Sequence, residues 1–133
     1  LPNIERKGLK LDGQRKEVAR RRFEKMLAII VSLPGMPSLY YGDEAGMEGA
    51  SDPFCRGPYP WGREDEKTLE IVKKAFNLRN ERPVLRRGFL DISNEGDDTL
   101  IIHRYSLEGK DVFGETLDDN PYILRVTRDG RRL

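Results

Sequence analysis

Asp43 and Glu44 are neighbouring carboxylates, the side chains that divide general acid and general base work when both reach one substrate. At the end of an extended strand, adjacent side chains leave on opposite sides, so the two converge only if the backbone turns sharply there. They are rejected as a catalytic pair. Asp52 and Arg56 lie four positions apart and combine a carboxylate acceptor with a forked donor, which either pair with each other or reach outward to a ligand. Tyr59 and Trp61 present aromatic faces that either stack on a ligand or plug the loop onto its neighbours, and their setting among prolines favours the plug. Cys55 is the only cysteine and His103 the only histidine. They form no recognisable nucleophile pair, disulfide or zinc ligand set, so packing or surface roles are expected, with no metal and no cofactor.

The 24 Lys and Arg residues nearly balance 23 Asp and Glu, which leaves a formal charge of +1 and no whole-chain attraction to nucleic acid or anionic lipid. Arg15, Lys16, Arg20, Arg21, Arg22 and Lys25 make a basic stretch that Glu17 and Glu24 interrupt. Without a groove-reading motif this reads as a solvated outer helix face, so no nucleic-acid partner is expected. The longest apolar run, Met26 to Leu33, is less than half of a membrane span, and no membrane partner is expected. The opening Leu1-Pro2-Asn3 has no initiator Met and no signal-like pattern, as expected of a chain cut from something longer.

Several elements must position these residues. Asp12 is a plausible N-cap for a helix to about Leu33, with Val18, Phe23, Met26, Leu27 and Ile30 at helical spacing and Pro34-Gly35 as its stop. Ser38-Leu39-Tyr40-Tyr41, bounded by Pro37 and Gly42, reads as a short buried strand. From Gly42 to Glu64 neither apolar period appears, so a long loop rich in Gly and Pro carries the candidate residues. A second helix is predicted from about Asp65 to Glu81, with Leu69, Val72, Ala75 and Phe76 on one face and Pro83 closing it. The period then changes to two. Phe89 to Ile92, Leu100 to Tyr105, Lys110 to Phe113 and Tyr122 to Thr127 are strand candidates, separated by turns at 94–97 and at Asp129-Gly130.

Leu33-Pro34-Gly35-Met36-Pro37-Ser38-Leu39-Tyr40-Tyr41-Gly42-Asp43-Glu44, followed by Asp52-Pro53-Phe54-Cys55-Arg56-Gly57-Pro58-Tyr59-Pro60-Trp61, resembles the eighth-strand region of α-amylase-family glycoside hydrolases. The likeness is to the neopullulanase and cyclomaltodextrinase kind. Leu78-Arg79-Asn80-Glu81-Arg82-Pro83 is similar to the family's join between the last barrel helix and the C-terminal β domain. The resemblance implies an α/β plus β fold: the last helix-strand-helix segment of a (β/α)8 barrel over residues 1–83, then a small antiparallel β-sheet domain, shortened, over 84–133. A complete barrel takes roughly 250 residues, so this chain would hold only its end.

Glycoside hydrolysis needs two carboxyl groups flanking the scissile bond. The family's Gly-x-Arg-x-Asp and His-Asp motifs are absent here, and His103 is followed by Arg104. The resemblance therefore implies a piece with no catalytic residue of its own. It also implies that Asp52 and Arg56 face the active-site mouth and contact glucosyl units on the non-reducing side of the cleavage point. An internal Asp52–Arg56 salt bridge is the structural alternative, and both can hold at once. The partners implied are an α-glucan oligosaccharide and the remainder of the barrel. Without that remainder, self-association through the Met26 to Tyr41 region or local looseness there is expected. A second reading is a stand-alone β-rich module that binds carbohydrate or protein without catalysis.

Overall fold

The computed structural model describes residues 11–49, 52, 53 and 55–128. The Leu1-Pro2-Asn3 opening and the Asp129-Gly130 turn lie outside them. The contacts divide the chain into two compact units, residues 1–24 with 38–73 and residues 25–37 with 74–133. The elements are α1 (Gly13–Ser32), α2 (Glu66–Glu81), α3 (Pro83–Arg87), β1 (Phe89–Glu95), β2 (Thr99–Tyr105) and β3 (Tyr122–Thr127). No helix among the described residues is long and apolar enough to cross a membrane.

The first unit is organised by two Asp caps. Asp12 Oδ1 accepts the Arg15 N–H at 2.8 Å, as its N-cap role requires. Asp65 caps α2: its Oδ1 accepts both the backbone N–H and the hydroxyl of Thr68, each at 3.0 Å. Its carboxylate also binds Lys16 Nζ at 2.9 Å and Arg20 Nη2 at 3.1 Å, so one side chain starts α2 and ties it to α1. Arg20 also pairs with Glu17. The solvated-face expectation therefore holds for Arg15, Arg21 and Arg22, which are exposed, but not for Arg20, whose side chain is largely covered. Arg20 spends its charge inside the unit.

The second unit places β1, β2 and β3 in that order, all antiparallel, with Ile102 opposite Ile92 on one side and Leu124 on the other. Tyr122, Leu124 and Val126 alternate with more exposed neighbours along β3, the pattern of a sheet covered on one face. Val84, Leu85 and Leu117 form a buried cluster, with Leu78 and Tyr122 against it. Leu27, Val31 and Ile102 are also buried. Each such side chain contributes roughly 1.5–3 kcal/mol relative to exposure. Met26, expected on the packed face of α1, is instead exposed.

Two buried arginines close this unit. The last carbonyls of α1 have no partner within the helix, and α1 carries no basic residue in its last turn. Arg79 Nη1 donates to the carbonyls of Val31 at 2.6 Å, Leu33 at 2.9 Å and Leu85 at 2.8 Å, while Nη2 donates to Gly35 at 2.6 Å. Arg104 donates to Ser32 at 2.7 Å, Leu85 at 3.0 Å, Gly88 at 2.8 Å and Phe89 at 3.2 Å. Both guanidiniums thus face the negative end of the α1 dipole and satisfy its orphan acceptors. Burial, and for Arg104 the neighbouring Arg79, holds Arg104 below the ordinary arginine value; burial and Arg86 do the same for Arg79.

Two predicted strands are not present. Ser38 to Tyr41 makes no ladder, and Tyr40 and Tyr41 are exposed rather than buried, because an extended segment becomes a strand only beside another. Lys110 to Phe113 is a compact turn with isolated bridges from Lys110 to Leu107 and Thr116. Buried Asp111 causes it: Oδ1 accepts the N–H groups of Phe113 and Glu115, both at 2.9 Å, and Oδ2 pairs with Arg87 at 2.8 Å. A side chain that captures the backbone two and four residues ahead curls it out of a ladder.

Candidate functional site

The loop that bears the candidate residues starts with a tight turn. Gly42 has φ 91°, and a Cβ there would lie 2.3 Å from Met47 Sδ, so glycine serves both the conformation and the packing. The Gly42 carbonyl accepts from Ala45 at 3.1 Å and Met47 at 2.9 Å, and Gly46 donates to Asp43 at 3.1 Å. Asp43 and Glu44 therefore sit on a turn, not on the extended strand end expected for them. Glu44 is engaged locally, its Oε2 accepting the Gly42 N–H at 2.9 Å. Partial burial and adjacent Glu44 push the Asp43 carboxyl above the ordinary aspartate range. The Ala45 carbonyl accepts the Asp65 N–H at 2.9 Å, which fixes the turn to the α2 cap.

Asp52 Oδ1 meets Arg56 Nε at 2.8 Å. Their side chains are 62% and 67% exposed, and an ion pair so open to water is worth only about 0–1 kcal/mol. Such a pair holds the loop weakly and leaves guanidinium donors and a carboxylate oxygen facing solvent. The salt bridge expected as the structural alternative is present. Tyr41 supports the same stretch from behind, its hydroxyl donating to the Gly57 carbonyl at 3.1 Å. Cys55 is half-buried, with Sγ 3.9 Å from Asp52 Oδ1.

The Tyr59 and Trp61 rings meet at a tilt, with centroids 4.5 Å apart and planes 47° from parallel. A Trp61 N–H to Tyr59 carbonyl bond of 3.0 Å spans Pro60, so a single tight turn brings both rings together. Trp61 is 80% exposed and Tyr59 is half-buried. Partial burial raises the Tyr59 pKa above the ordinary tyrosine value, and the negative charges of Glu44 and Glu64 add to it. Among the described residues no hydrogen bond, ion pair or ring contact joins the Asp52–Arg56 pair to the Tyr59–Trp61 pair. The structure assembles two short patches rather than one pocket.

A cavity of about 160 Å³ lies elsewhere in the same unit, lined by Lys16, Phe23, Asp43, Met47 and Thr68 among others. None of the four candidate residues lines it. Among the described residues no cluster of three or more His, Cys, Asp or Glu is placed to hold a metal ion. Tyr41, whose hydroxyl holds the Gly57 carbonyl, was not expected among the site residues, because nothing in composition or spacing says which carbonyl a loop hydroxyl will reach.

No protein-family model matches the chain. Over 113 residues, 85% of its length, it is 39% identical to an amylopullulanase of Thermoanaerobacter thermohydrosulfuricus and spans 8% of that protein. Over 56 residues, 41% of its length, it is 43% identical to neopullulanase 2 of Thermoactinomyces vulgaris and spans 10% of that protein. Among solved structures it is similar to the cyclic α-maltosyl-(1→6)-maltose hydrolase of Arthrobacter globiformis in complex with cyclic α-maltosyl-(1→6)-maltose. The TM-score is 0.64 at 31% identity, over 71% of this chain and 22% of that one. The chain belongs to the α-amylase family of glycoside hydrolases. Within that family its likeness is to the amylopullulanase, cyclomaltodextrinase and neopullulanase kind, as Pro34-Gly35-Met36-Pro37 and the Asp52 to Trp61 loop imply.

Proposed function

We propose that this chain is the C-terminal portion of a retaining α-glucan hydrolase, with residues 1–83 closing the catalytic barrel and 84–133 forming its C-terminal β domain. It supplies a substrate-binding loop and no catalytic carboxylate. The observation that carries the reading is the exposure of Asp52, Arg56 and Trp61 on one loop. A forked donor, an acceptor and an aromatic face are the groups that hold a glucosyl unit: hydroxyls bond to the first two, and the apolar sugar face stacks on the third. The relatives' activities on α-glucans support the substrate class.

The test uses the 133-residue chain. Incubated with maltodextrin, cyclodextrin or pullulan it is expected to release no reducing sugar above a blank, for want of the carboxylate pair. Calorimetric titration with maltoheptaose is expected to give weak saturable binding that Arg56→Ala reduces about tenfold, the loss of about 1.4 kcal/mol in charge-assisted hydrogen bonding. Reducing-sugar release that survives mutation of Asp43 and Glu44, or binding indifferent to Arg56, contradicts the proposal.

A further inference from the structure

Arg20 is bound at two of its three side-chain nitrogens. Nη1 pairs with Glu17 and Nη2 with Asp65, whereas Nε is the one buried side-chain nitrogen or oxygen without a hydrogen-bond partner among the described residues. A buried donor left without an acceptor is costly, so an acceptor is expected beside it. The same side chain is part of the wall of the 160 Å³ cavity. Lys16, Ala19, Arg20 and Phe23 line that cavity from α1, and their spacing of three and four puts them on one face of the helix. Asp43 and Met47, on and after the Gly42 turn, and Thr68 of α2 line it too.

We infer that this cavity is a binding site for one neutral sugar ring, distinct from the Asp52 to Trp61 loop, with a sugar oxygen accepting from Arg20 Nε. Size, charge and wall chemistry each narrow the ligand. An enclosed void of about 150 Å³ takes a six-membered ring such as benzene, so a half-open one of 160 Å³ suits a single pyranose. The surrounding charge disfavours an anion, because Lys16 and Arg20 are outnumbered by Glu17, Asp43, Glu48 and Asp65 in the wall or paired to it. An ammonium group is no better, since it has no lone pair to offer Nε. A sugar hydroxyl accepts as well as donates: one accepts from Nε while others donate to the Asp43 carboxylate or the Thr68 hydroxyl. Ala19, Phe23 and Met47 supply apolar surface for the C–H face of the ring to cover. Water alone would satisfy Nε but leave those three side chains wet.

Arginine Nε–H groups give their own nitrogen–proton resonances, and Arg20→Lys, which keeps the positive charge, identifies the Arg20 signal by its loss. On the full 133-residue chain, D-glucose is expected to shift that signal saturably, and benzoate, an anion with a ring of similar size, to leave it unmoved. Ala19→Leu fills the cavity without removing either ion pair of Arg20 and is expected to weaken the glucose response about tenfold with unchanged circular dichroism. Asp43→Asn, nearly equal in size, is expected to weaken it severalfold. Trp61 emission reports on the loop and the Arg20 signal on the cavity, so failure of one site is told apart from failure of the other. An Arg20 signal that glucose does not move, one that benzoate moves as much, or a glucose response that survives both Ala19→Leu and Asp43→Asn overturns the inference.

Discussion

Asp65 shows how one residue can matter to a site it does not touch. It caps α2, binds Lys16 and Arg20, and holds the Ala45 carbonyl through its backbone N–H. Burial alone would raise its pKa, but hydrogen bonds from Lys16, Thr68 and Arg20 outweigh it and hold the carboxyl well below the usual carboxylate range. A depressed carboxylate contributes stability that is fully present above the unfolded-state value and is lost as pH falls through the folded one. Asp65→Ala is expected to cost about 2 kcal/mol near neutrality, from the lost cap and the broken pairs. Urea unfolding should show that difference shrinking in strong acid, and a difference constant with pH would contradict the account. The Asp65 cap was legible in the sequence as a helix start; its pairing with Lys16 and Arg20 was not, because those residues lie more than forty positions away and only the fold brings them near.

At the scale of elements, both long helices and three of the four strands after Pro83 were readable, since each has a clear apolar period and a stop or turn residue at its ends. The failures have local causes. Lys110 to Phe113 ends on two strand-forming residues, Val112 and Phe113, yet Asp111 captures the backbone ahead of it. Ser38 to Tyr41 has strand-like composition but no neighbouring strand among the described residues. The amides of Leu39, Tyr40 and Tyr41 are accordingly expected to exchange rapidly, near the rate of an unprotected chain, whereas those of β2 stay protected. Strong protection at Leu39 to Tyr41 would mean that a second copy or another segment pairs with them. The opposite extreme is β2, where Arg104 looks like a surface charge in sequence and is fully buried. Alternation gives Arg104 the inward phase shared with Leu100 and Ile102, which is the signal that could have found it. Arg104→Ala should leave the Ser32, Leu85, Gly88 and Phe89 carbonyls short of a donor and cost roughly 3–5 kcal/mol, read as a fall in the urea midpoint.

For the molecule as a whole, the candidate site was partly legible. The Asp52, Arg56, Tyr59 and Trp61 set stood out because charged and aromatic residues cluster in a stretch with no apolar period. Its geometry did not, since whether Trp61 faces inward or outward depends on a turn at Pro60 that spacing cannot reveal. We propose that this outward loop recognises α-linked glucan. The most direct measurement is the emission of Trp61, the sole tryptophan, during titration of the wild-type chain with maltoheptaose and, separately, with a β-linked glucan oligomer of similar length. A saturable change with maltoheptaose and none with the β-linked oligomer is the expected result, because an α-linked chain curves and offers its sugar faces at a different angle from a flat β-linked one. No change with maltoheptaose, or the same change with both oligomers, would contradict the claim.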